Sequence, residues 1–91
     1  MEVNKRHKFD FEGNQYEIRV LSDGYNFQVR TFLKGAPANG YIYSVDFPKR
    51  LGMKKQLDVD AVEELVRLAE EDIMDKTWER YLKAVSSKQN S

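Results

Sequence analysis

From Asp58 to Val85 the chain runs about 28 residues without a glycine or a proline, and apolar side chains recur through that stretch at helical spacing. Placed at about 100° per residue, Val62, Leu65, Val66, Ala69 and Ile73 form one stripe. Met74, Trp78, Tyr81, Leu82 and Val85 form a second, turned from the first by more than about a third of a circle. A single helix of this length is about 42 Å long, whereas strands of about eight residues span only about 27 Å. One sheet can therefore shelter the first stripe but not both.

Two structures satisfy the pattern. In one the helix spans 58–86 unbroken, and its second stripe overhangs the sheet to meet another molecule, most economically its own copy across a two-fold axis. In the other the chain breaks near Asp75 and a short second helix folds back, bringing Trp78 onto the same core. The lack of glycine or proline favours the unbroken rod. Each large side chain of the second stripe is worth about 1.5 to 3 kcal/mol on burial, so five of them left in water make a sizeable sticky patch. At the helix start, Asp58 can cap the first turn with Leu57 stapling onto Val62, and Asp60 with Glu63 is a rival capping box.

The chain before the helix reads as strands. Phe9 and Phe11 alternate with polar residues, as do Tyr16, Ile18 and Val20, then Tyr25, Phe27, Val29, Thr31 and Leu33, and finally Tyr41, Tyr43, Val45 and Phe47. Gly13-Asn14 and Asp23-Gly24 are two-residue hairpin signals. With those turns Phe9 opposes Ile18, Phe11 opposes Tyr16, Val20 opposes Phe27 and Ile18 opposes Val29. All the apolar members share one face, and Glu17 comes opposite Arg30 on the other. The glycines and proline of 34–40 predict an irregular loop. Pro48 ends the fourth strand, and 48–57 is expected to be a basic connection. The predicted fold is α+β: a four-stranded antiparallel meander over 8–47, one face covered by the C-terminal helix. It forms a single domain over 8–86, with a polar lead at 1–7 and a polar tail at 87–91.

Fifteen Lys and Arg balance fifteen Asp and Glu, but unevenly. Residues 1–57 carry ten cations and six anions, and residues 58–91 carry five and nine. A basic sheet half thus faces an acidic helix half. With no cysteine the chain can form neither disulfides nor thiolate metal sites, which suits a reducing, cytoplasmic setting. No apolar run is long enough to span a membrane, and the basic N-terminus lacks the apolar segment of a secretion signal.

Catalytic chemistry has little to draw on. His7 is the sole histidine and is read as solvated, the serines have no evident base partner, and no phosphate-cradling glycine loop occurs. Glu70, Glu71, Asp72 and Asp75 are read as a solvated acidic face, because a helix surface converges too few oxygens for a hard cation. The expectation is a non-catalytic domain without metal or cofactor. It would bind protein, as a homodimer or with another partner, through Met74, Trp78, Tyr81, Leu82 and Val85. The alternative is a weak nucleic-acid binder using the open sheet face (Lys8, Arg19, Arg30 and Lys34, with Gln28 and with Phe32 to stack a base) and the basic loop with Lys49, Arg50, Lys54 and Lys55. No stretch carries a family-specific motif.

Overall fold

The computed structural model describes residues 1–89 and is α+β, an antiparallel sheet with helices on one face. Strands β1 (Glu2–Phe11), β2 (Asn14–Ser22) and β3 (Asn26–Leu33) form the expected meander. The fourth position is shared by β4 (Ala36–Pro37) and β5 (Tyr43–Asp46), both antiparallel to β3. Strand β1 begins at Glu2, so most of the expected polar lead is sheet. It carries an irregularity between Val3 and Lys5, which with Lys5, Arg6 and Lys8 discourages pairing along that open edge.

Both hairpin registers differ from expectation by two residues. The first turn is Glu12-Gly13, both left-handed (φ 49° and 81°), so Phe11 opposes Asn14, Phe9 opposes Tyr16 and His7 opposes Ile18. In the second, the Asp23 carboxylate accepts from the amides of Tyr25 and Asn26 at 2.9 and 2.7 Å. That holds a wider loop, and Ser22 opposes Phe27 while Val20 opposes Val29. Because a strand repeats every two residues, a slip of two keeps every side chain on its face. The expected partners are wrong; the expected core face is right. Glu17 lies opposite Phe32, not Arg30. The stretch after β3 is likewise tighter than expected, since Lys34-Gly35 forms a second left-handed pair that returns the chain as β4.

The expected basic connection is helix α1 (Phe47–Leu57). Asp46 caps it by accepting from the Lys49 amide at 2.8 Å, and Pro48 sits in the first turn, where its missing N–H costs nothing. Asp58 closes this helix in a left-handed conformation (φ 55°) instead of opening the next. Helix α2 (Ala61–Met74) starts at the rival cap, Asp60, whose carboxylate accepts from the Val62 amide at 3.0 Å.

The unbroken rod is not formed. Helix α2 ends at Asp75, Lys76 turns left-handed (φ 53°), and α3 (Thr77–Gln89) continues in a new direction. The break falls at one end of the sheet: after 14 residues of helix, about 21 Å, Lys76 lies against Glu12 of the first hairpin turn. Helix α3 takes in most of the expected polar tail, and positions 90 and 91 lie outside the described residues.

The core lies between the sheet and α2. Ile18, Val20, Phe27, Val29 and Val45 from the strands meet Ala61, Val62 and Ala69 from the helix, with Phe9, Tyr43, Met53, Leu65 and Val66 packed around them. Small residues at 61 and 69 let the helix backbone approach the sheet closely. Arg50 of α1 lies 4.7 Å from the centre of the Phe27 ring, so α1 covers the same side.

Candidate functional site

Four aromatic rings run in series from the core to the surface of α3. Tyr43 stacks on Tyr41 at 6.2 Å between centroids, Tyr41 meets Trp78 edge-on at 5.2 Å, and Trp78 stacks on Tyr81 at 5.4 Å. The alternation of the 41–47 stretch puts Tyr41 and Tyr43 on one side of the strand, and the three-residue spacing of α3 puts Trp78 and Tyr81 on one side of the helix. The inner end is anchored to α2: the Tyr43 hydroxyl donates a short hydrogen bond to the carboxylate of Asp72, which is buried. Burial, reinforced by that carboxylate, pushes the Tyr43 phenol above its usual range. Asp72 therefore does not belong to a solvated acidic face, as the sequence suggests; it is the buried member of that cluster, and Glu70 is half-buried beside it.

Trp78 is held by the loop preceding β5. Its indole lies so close to Gly40 that a Cβ there would sit 2.8 Å from Cζ2, 2.9 Å from Cζ3 and nearer still to Cη2. Asn39, itself buried, shapes this loop by accepting from the Tyr41 amide at 3.1 Å. Across the kink, the Lys76 ammonium pairs with Glu12 at 3.2 Å, linking the α2–α3 junction to the first hairpin turn. A cleft of 160 Å³ opens at this end of the sheet, bounded by Phe11, Leu33, Asn39, Asp72 and Trp78.

Of the five residues expected to form the interaction stripe, Trp78 is thus half-buried within the chain and Val85 is half-buried. Tyr81, Leu82 and Met74 are 53, 47 and 42 % exposed. The kink brings Trp78 onto the loop but leaves its apolar neighbours facing outward.

The residues expected for nucleic acid are split between two layers. Arg19 and Arg30 lie on the open face, where the Arg19 guanidinium is 4.1 Å from the Phe32 ring centre and covers the ring expected to stack a base. Lys34 is at the rim, in the β3–β4 turn. Lys49, Arg50, Lys54 and Lys55 belong to α1, on the covered side. Two of them are committed to structure. Arg50 grips Asp60 with two hydrogen bonds of 2.9 and 2.8 Å, which hold the Asp60 carboxyl below the usual carboxylate range. Lys54 pairs with Asp58 at 2.8 Å, one turn on.

His7 has a contact that its sequence position near the N-terminus concealed: its Nε2 lies 3.0 Å from the Glu70 carboxylate, joining β1 to α2. Alternation with Phe9 and Phe11 puts His7 on the inner face in either register, and it is the extension of β1 back to Glu2 that makes His7 part of the sheet. Among the described residues no cluster of His, Cys, Asp and Glu is placed to hold a metal ion, and no helix is long and apolar enough to cross a membrane. No family model, no curated protein and no solved structure matches the chain.

Proposed function

We propose that the chain is a small non-catalytic interaction domain that self-associates through α3. The observation that carries this reading is the outer end of the aromatic series: Tyr81 and Leu82, with Met74 at the kink, present apolar surface that the chain's own core does not cover. Trp78 serves here as the fixed root of the surface, pinned against Gly40, which limits the ordering cost of binding.

A second copy is the favoured partner on grounds of charge. At its exposed positions α2 carries Glu63, Glu64 and Glu71 against Arg67, whereas α3 carries Arg80 and Lys83 against Glu79. A two-fold axis that lays α3 of one copy beside α2 of the other makes that complementarity twice. A stable dimer of ordinary size buries about 1,200–2,000 Å² in total, which α3 alone supplies only in part, so the exposed Leu68 of α2 is placed in the contact as well. The cysteine-free composition suits a cytoplasmic setting.

The experiment is sedimentation velocity over a wide concentration range on the wild type and on Tyr81→Lys with Leu82→Lys. Trp78 is left alone because it belongs to the fold. The wild type should sediment as a dimer at high concentration and dissociate on dilution, and the variant should remain a folded monomer. A wild type that is monomeric at every concentration ends the proposal.

A further inference from the structure

The sheet face turned away from α2 holds an arrangement that folding alone does not favour. Arg6 pairs in register with Arg19, and Arg19 with Arg30, so three arginines occupy one row across three neighbouring strands. With strands about 4.8 Å apart, the row is roughly 10 Å wide. Like charges directly opposite one another are destabilising, and only one carboxylate is set against the three. Glu17 accepts from Arg19 at 2.5 Å and from Arg6 at 2.9 Å. Hydrogen bonding from Arg19, foremost, holds Glu17 below the usual carboxylate range.

Arg30 has no such partner. It makes no ion pair among the described residues, and its Nε is buried without a hydrogen-bond acceptor. Its guanidinium stands 6.0 Å from the centre of the Phe32 ring, whose other contact is Arg19 at 4.1 Å. Beside the row lies a shallow depression of 410 Å³ lined by Lys8, Arg19, Phe32 and Lys34 and by the Glu17 that Arg6 and Arg19 already engage, between the turn glycines Gly13 and Gly35. Neither Lys8 nor Lys34 makes an ion pair among the described residues.

We propose that this face binds single-stranded nucleic acid, with Arg30, Lys8 and Lys34 contacting phosphates and the guanidinium of Arg19, braced by Glu17 and Phe32, offering its outer plane to a base. The cations lacking partners supply the charge that phosphates neutralise. Arginine planes stack bases as aromatic rings do, and Glu17 fixes Arg19 in advance of binding. A single strand can lie across a flat sheet face, whereas the grooves of a duplex are read by elements that enter them. The surface does not overlap α3 and is independent of self-association. It also excludes α1, whose four basic residues lie on the other layer.

The test is fluorescence anisotropy of a labelled single-stranded oligonucleotide of mixed sequence, titrated at low and rising salt with the wild type, Arg30→Gln, and Lys8→Gln combined with Lys34→Gln. The wild type should bind at low salt and weaken steeply as salt rises. Each lost phosphate contact should flatten the slope of log affinity against log salt by about 0.7. Arg30→Gln should weaken binding several-fold while leaving the melting temperature unchanged or higher, because removing one of three facing arginines relieves repulsion; a merely structural role would lower it. Absence of salt-sensitive binding, or affinity untouched by both variants, overturns the proposal. Equal competition by polyglutamate, or equal binding of the corresponding duplex, overturns the assignment to a single strand of nucleic acid.

Discussion

Gly40→Ala places a methyl group where the Trp78 indole now lies. Carbon atoms in good contact are about 3.5–4.0 Å apart, and the new Cβ would stand 2.8 and 2.9 Å from two ring atoms and closer to a third. The ring must therefore retreat by roughly an ångström. It cannot do so by bending, because an indole is rigid, so the shift passes to α3, which joins α2 through the left-handed Lys76. That escape sets an upper limit on the cost. Overpacking in a confined core costs about 1–3 kcal/mol and full truncation of a core tryptophan about 3–5 kcal/mol. For a half-buried ring about 2 kcal/mol is the most that can be lost, and the reduced freedom of alanine in the unfolded chain returns about 0.4–1 kcal/mol. A net loss of about 1–1.5 kcal/mol lowers the melting temperature of a domain this size by about 4–12 °C.

Trp78 is the sole tryptophan, so its fluorescence reports the event directly. Emission should move to longer wavelength, quenching by acrylamide should rise, and amide exchange should quicken in α3 while α2 keeps its protection. A double-mutant cycle isolates the cause. In a Trp78→Ala background, Gly40→Ala should be neutral or slightly stabilising, because nothing remains to collide with. If Gly40→Ala leaves emission and stability as they are, or costs as much without the tryptophan as with it, the packing of α3 on this loop is refuted.

Tyr43→Phe removes the hydroxyl that satisfies buried Asp72 and should cost about 1–3 kcal/mol in thermal or urea unfolding. Because the Tyr43 phenol is raised in the fold, its contribution is complete below the ordinary phenol value of about 10. It is lost as pH climbs from there toward the folded value, so the wild type should lose its advantage over Tyr43→Phe in strong alkali. Asp60→Asn keeps a competent helix cap but breaks the charged contact with Arg50, and should cost up to about 1 kcal/mol at neutral pH for this partly exposed pair. The folded Asp60 carboxyl lies below its ordinary value, so that difference should be present above about pH 4. It should fade as pH falls further through the folded pKa; a difference that grows in acid would contradict the pairing.

The alternation of Ile18 with Val20, and of Phe27 with Val29, determined which face of the sheet is core, and that conclusion survived a two-residue error in each hairpin because the strand period is itself two. The spacing of Val62, Leu65, Val66 and Ala69 likewise determined the buried side of α2. Local chemistry offered Asp60 only as the rival cap. The sequence presented Asp58 first, and the space occupied by α1, unforeseen because Pro48 was read as a terminator and not as a first-turn residue, reversed that order. The change of phase between the two apolar stripes was legible, but its meaning was not. The lack of glycine or proline around Lys76 favours a helix that passes through it, yet the chain breaks there. What decided was the length of the platform: at the end of the sheet α2 has nothing further to cover, and the energy gained by seating Trp78 on Gly40 and Tyr41 outweighs one lysine in a left-handed conformation, a cost of about 1–2 kcal/mol. The row of Arg6, Arg19 and Arg30 is likewise tertiary in origin. Those residues are far apart in the chain, and it is the true hairpin registers, set by Glu12-Gly13 and by the Asp23 carboxylate, that bring them side by side.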